Sequence, residues 1–159
     1  LDVSSKQLAV DKGKLQLDFY GAIHEEVHRS LAEHGLEHHA VFFDYIPHDQ
    51  LVAVMKRAAL LFFVVPDTSY AKGILTSKLF DYMGAGRPIL GIGPEDGDAA
   101  KILRQTRIGR MINDADHEQM RSFLIQLQEQ EIFLQNNDTK PFTRARLTKA
   151  LADIFHSLD

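Results

Sequence analysis

Leu60-Leu61-Phe62-Phe63-Val64-Val65 is an unbroken apolar run, and after the loop Pro66 to Gly73 a helical stretch extends from Thr76 to Met83. Gly84 and Gly86 stop it, and Pro88-Ile89-Leu90-Gly91-Ile92 follows as a second apolar run. The six apolar residues show no alternation. They predict a strand covered by helices on both faces of a parallel sheet, and a central one. Two such strands joined by a helix form a crossover unit, which parallel neighbours require.

The same alternation continues on both sides. Upstream, Leu15, Leu17 and Phe19 share one face of the strand Leu15 to Tyr20, and Ile23, Val27 and Leu31 mark a helix that ends at Gly35. Val41 to Ile46 is the next strand, and Pro47 stands where a first helical residue tolerates proline, ahead of Leu51, Val54 and Met55. Downstream, Asp98 to Gln105 is helical and Gly109 to Asn113 is a weak strand. Asp116 and Gln119 form a capping box for a helix with Met120, Phe123, Leu124 and Leu127 inward. After a polar break at Asn136 to Lys140, Leu147, Leu151, Ile154, Phe155 and Leu158 define an amphipathic terminal helix, for which packing against its own sheet is the commoner use and a partner surface the other. The expected fold is α/β, a doubly wound Rossmann-like parallel sheet of about five strands with helices on both faces plus this last helix.

With 159 residues the chain has the size of one domain, residues 1–159, able to bury roughly 70% of its unfolded surface. It is 45% apolar and 25% charged, with no apolar run long enough to span a bilayer. The net charge of −4 comes with 18 scattered Lys and Arg, which points away from nucleic acid. The absence of Cys excludes a disulfide framework, thiolate metal sites and a Cys nucleophile. No signal peptide is visible, so a cytoplasmic location is expected. A start at Leu1 rather than Met suggests a processed product or a piece of a longer protein.

Ligands of doubly wound sheets lie beyond the carboxyl ends of the strands, so the loops starting at Tyr20, Tyr45, Val65 and Ile92 are those that matter. Gly21, Tyr45, Pro66, Asp67, Gly91 and Gly93 are the candidate pocket lining. The helix after Gly73 offers unpaired N–H groups and a partial positive charge at Leu75, Thr76, Ser77 and Lys78, a cradle suited to a diphosphate. Lys78 adds a full charge. One turn on, the Asp81 carboxylate can accept hydrogen bonds from two adjacent ribose hydroxyls, each worth about 1.5–3 kcal/mol.

The stretch Lys72 to Leu90 resembles the donor-site segment of family 4-like glycosyltransferases of the GT-B fold: a Gly-containing loop, a short helix with an acid, a small-residue turn and Pro-Ile-Leu opening a strand. Val41-x-Phe43-x-Tyr45-Ile46-Pro47, Leu60 to Val65 and Thr106 to Asn113 follow the family order over about 140 residues. The resemblance implies the C-terminal, donor-binding half of a two-domain enzyme. A nucleoside diphosphate sugar is then the substrate, Asp81 the ribose ligand, and no metal or other cofactor is needed. The acceptor belongs to an N-terminal domain, through which peripheral membrane contact is also possible. An earlier strand with a Gly-rich loop, normal in the family, has no counterpart. Where the family carries two glutamates eight positions apart, this chain has Gly73 and Asp81, with Asp67 the nearest substitute for the first. Catalytic residues, donor sugar and stereochemical outcome stay open.

Two motifs compete. His24-Glu25-Glu26-Val27-His28 matches the zinc-protease pattern, but five of the eight histidines fall between positions 24 and 39, and the flanks are polar, as on a solvated helix face. Gly91-Ile-Gly93-Pro-Glu-Asp-Gly97 approximates a dinucleotide fingerprint with the wrong third spacing and an intervening Pro94. Two alternatives to transfer remain, a nucleotide-sugar epimerase of the same fold and a non-enzymatic flavodoxin-like binding module. The acid pair that a phospho-receiver needs after its first strand is missing from Phe19-Tyr20-Gly21.

Overall fold

A computed structural model describes residues 15–66, 68–129 and 138–157. Among them the chain is α/β, with five strands and six α-helices in alternation. The strands form two separate parallel ladders of two and three strands. The chain divides into two compact units, Leu1–Leu51 and Val52–Asp159.

In the first unit β1 (Leu17–Tyr20) pairs with β2 (Ala40–Phe43) through the crossover helix α1 (Glu25–Glu33). Direct cross-strand neighbours stack, Phe19 on Phe42 at 5.1 Å and Tyr20 on Phe43 at 4.5 Å. The helix adds His28, whose ring lies 4.1 Å from that of Phe42. Past α1, Gly35 takes φ 64° while Leu36 N–H bonds Leu31 C=O and Gly35 N–H bonds Ala32 C=O. That is a Schellman stop, whose left-handed position favours glycine. Strand β2 ends at Phe43, three residues short of the sequence expectation, and α2 (His48–Met55) begins one residue after Pro47.

The second unit holds β3 (Leu61–Val64), β4 (Ile89–Ile92) and β5 (Gly109–Ile112) in that order, all parallel. Its helices are α3 (Ser77–Ala85), α4 (Asp98–Thr106), α5 (His117–Gln128) and α6 (Arg144–His156). Successive strand residues face opposite ways, so the sheet has two core faces. Phe63, Ile89 and Met111 pack with Leu79 and Met83 of α3 and Ala99, Ala100 and Leu103 of α4. Leu90 and Ile112 pack on the opposite side against Phe123 of α5, with Met120, Leu124 and Leu127 around it. The three-stranded sheet therefore has helices on both faces, as its apolar strands require.

Three expectations need correction. The strand β3 stands at the end of its ladder rather than the centre, and Phe62 and Val64 are half exposed because α5 covers only its neighbours. Gly84 lies inside α3, which stops at Gly86 with φ 69°. The apolar stripe of α6 does not pack on a sheet: Leu147, Leu151, Ile154 and Phe155 are all exposed, and the helix touches mainly the 3-10 turn Lys140–Phe142 before it. Phe142 packs against the core and holds that turn, whereas no residue of α6 is buried. Asn136 and Leu158 lie outside the described residues.

Candidate functional site

The carboxyl edge of the second unit carries the loops that follow β3, β4 and β5. The first leaves β3 through Val65 and Pro66, makes the 3-10 turn Ala71–Gly73, and reaches α3 through Ile74 and Leu75. Thr76 is the N-cap, with extended backbone and no side-chain hydrogen bond to the helix, and the first turn of α3 contains no acid. Each of the other described α-helices carries an acid in its first turn or a side-chain cap: His24 with Glu25 and Glu26, Asp49, Asp98, Asp116 with Glu118, and Thr143. The Thr76 Oγ1 atom is inaccessible to solvent and has no hydrogen-bond partner among the described residues. Leu79 N–H turns back on Thr76 C=O at 3.2 Å, while the Ser77 and Lys78 N–H groups and the partial positive charge of the turn meet no acid and no side-chain cap.

Leu79 and Met83 turn α3 toward the core, leaving Ser77 and Lys78 exposed and Asp81 partly buried. Asp81 follows Ser77 by four positions, so the two share a helix face. Its carboxylate has neither a hydrogen bond nor an ion pair among the described residues. Next to it, burial and then the Asp81 charge push the Tyr82 hydroxyl above the ordinary tyrosine range. That hydroxyl donates to Phe62 C=O at 3.3 Å.

The second loop, Gly93 to Gly97, is fitted closely. A side chain on Gly91 would collide with Met111 Sδ at 2.8 Å and Phe63 Cζ at 3.0 Å. Gly93 has φ 153°, and a Cβ there would stand 2.9 Å from Val65 Cβ, so the first two loops leave the sheet side by side. Gly97 presses on the 3-10 turn, its missing Cβ 3.1 Å from Lys72 C=O.

Side chains tie this loop in both directions. The Lys72 ammonium bonds Asp96 Oδ2 at 2.6 Å. Chiefly through that hydrogen bond, opposed by burial and reinforced by the charges of Lys72 and Lys101, the Asp96 carboxyl is held below its ordinary value. On the other side, Glu95 Oε1 accepts from Asn113 N–H at 3.2 Å and Gln119 Nε2 at 3.4 Å, and Arg104 donates to Glu95 C=O at 2.7 Å. Gln119 N–H also bonds Asp116 Oδ1 at 2.8 Å, and its amide returns to Asp116 Oδ2 rather than to the Asp116 N–H of a full capping box.

Of the residues singled out in the sequence, Gly73, Leu75, Thr76, Ser77, Lys78 and Asp81 lie together on the approach to α3 and its first two turns, with Pro66, Gly91 and Gly93 on the same sheet edge. Gly21 and Tyr45 belong to the first unit. There Gly21 takes φ 93° and donates to Phe43 C=O, and Tyr45 is 82% exposed. Asp67 lies outside the described residues. Glu95, Asp96 and Arg104 went unassigned in the sequence. The available signal was an acidic pair directly after Gly-Ile-Gly-Pro at a strand's carboxyl end.

His24 and His28 do not form a ligand pair. His24 is the N-cap of α1, its Nδ1 accepting from Glu26 N–H at 3.3 Å, while the His28 ring lies tilted at 34° against Phe42. They border an open hollow of about 580 Å³ with Glu25, Glu26 and Arg29. Among the described residues no three His, Cys, Asp or Glu side chains are grouped to hold a metal, and no helix is long and apolar enough to cross a membrane. Comparison with protein-family models, curated proteins and solved structures finds no match for this chain.

Proposed function

We propose that this chain, residues 1–159, is the nucleotide-sugar-binding domain of a two-domain, GT-B-type glycosyltransferase, acting in the cytoplasm with an N-terminal domain that holds the acceptor. A doubly wound sheet of about five strands belongs to the same proposal, supported by the exclusively parallel pairing and by the alternation of strand and helix. The observation that carries the functional reading is the first turn of α3, which lacks both acid and side-chain cap. An anionic diphosphate supplies what that turn lacks. Ser77 and Lys78 add a hydroxyl and a cation. Asp81, without a hydrogen bond or ion pair among the described residues and one turn further, takes the ribose hydroxyls. In transfer, negative charge grows on the leaving diphosphate, and fixed dipoles aimed at it stabilise that charge without reorganising.

A thermal-shift screen with UDP, GDP, ADP and their sugars tests the reading. A ligand at 100 times its dissociation constant adds roughly 2.7 kcal/mol of stability. Asp81→Ala should remove about 1.5–3 kcal/mol of nucleotide binding and leave binding of inorganic pyrophosphate, which has no ribose, unchanged. If no nucleotide stabilises the protein at millimolar concentration, or if Asp81→Ala leaves the nucleotide shift intact, the reading fails.

A further inference from the structure

The Lys72–Asp96 pair links residues 24 positions apart, from the segment entering α3 and the loop entering α4. Both side chains are about two-thirds exposed, at 69% and 66%, so the pair adds little to folding. Its chemistry is that of a cation held on an anion. Lys72 precedes the cap residue Thr76 by four positions, at most about 14 Å of chain, and its side chain is long and rotatable. The adjoining backbones lie against each other, because Gly97 packs on Lys72 C=O, and Glu95 ties the same loop to Asn113 and Gln119. Asp96 meets the ammonium from that loop. The first turn of α3 offers an incoming anion N–H groups and no competing carboxylate.

We propose that Lys72 is a further diphosphate-binding residue of this site and that Asp96 occupies it in the ligand-free protein as an internal stand-in for the phosphate. The inference rests on the donor-site reading of α3 and adds a cation and its competitor to it. On binding, Lys72 leaves Asp96 for the diphosphate, and Asp96 lowers affinity by holding Lys72 back.

A double-mutant cycle with inorganic pyrophosphate and UDP, read by calorimetry, tests this. Lys72→Met should weaken both ligands about tenfold, the low end for a charge-assisted hydrogen bond. Asp96→Asn should tighten both about two- to fivefold, the range of an exposed ion pair. In the Lys72→Met background, Asp96→Asn should change nothing, because the competition has lost its object. Equal tightening in both backgrounds would show Asp96 acting only as a nearby negative charge, and weaker binding by Asp96→Asn would make the pair a structural latch. Either result overturns the proposal, as does unchanged affinity in Lys72→Met. In those cases wild-type binding of UDP with its Asp81 dependence still stands, so the donor-site reading survives; absence of wild-type binding removes both. Unchanged melting temperatures of the ligand-free variants confirm that folding is not the variable.

Discussion

Replacing Ser77 by Asp puts a carboxylate into the one α-helical first turn among the described residues that has neither acid nor side-chain cap. The side chain at position 77 is exposed and α3 extends nine residues, so the new charge meets no packing cost and a fully formed dipole. A carboxylate in a first turn stabilises by about 0.3–1 kcal/mol at low ionic strength. For a chain of this size that raises the melting temperature by roughly 1–4 °C. The same charge opposes a diphosphate. At about 5 Å, with effective dielectric constants from water to a protein surface, each pair of unit charges repels by roughly 1–3 kcal/mol, or about 5- to 150-fold in affinity. One substitution should therefore make the protein more stable and a poorer binder. Calorimetric melting at low and high salt gives the first quantity and titration with UDP the second; the gain in stability should shrink in salt. A melting temperature that falls would show that the first turn is already compensated. Undiminished binding of UDP would refute the position of the site.

Two further predictions concern the frame around the site. Gly91→Ala brings a methyl group within 3.0 Å of Met111 and Phe63 and should cost about 1–3 kcal/mol in urea unfolding, at the lower end if the Met111 side chain turns aside. Tyr82 keeps its proton to higher pH in the folded protein than in the unfolded one. Its contribution is fully present below the ordinary tyrosine value near 10 and is lost as pH rises through the folded value. Stability should decline on that alkaline side, and Tyr82→Phe should flatten the decline while losing about 0.5–1.5 kcal/mol at neutral pH with the bond to Phe62.

Much of this protein is legible in its sequence because the deciding terms are local. The apolar run Leu60 to Val65 gave a strand, Thr76 and Gly86 bracketed a helix, and Asp116 capped another through Gln119. Caps, periods and breakers act over a few residues, and the amphipathic face of α3 follows from the same short-range pattern, which is why Asp81 could be placed one turn beyond the cradle. The clustering of Thr76, Ser77, Lys78 and Asp81 needed nothing more.

Other features depend on contacts between residues distant in sequence, and only the tertiary structure decides those. Strand pairing put β3 at the end of a ladder, which no pattern within Leu60 to Val65 encodes. Whether an apolar stripe finds a surface depends on what folds beside it, and for α6 the stripe faces solvent although its spacing suits a core. His24 and His28 have the spacing of metal ligands, but the helix starts only after His24, and its ring serves as a cap. Lys72 and Asp96, like Glu95 and Gln119, are 24 residues apart. Their meeting follows from the parallel sheet, which delivers successive loops to one edge, whereas the residues by themselves supply only the charges and the hydrogen-bonding groups.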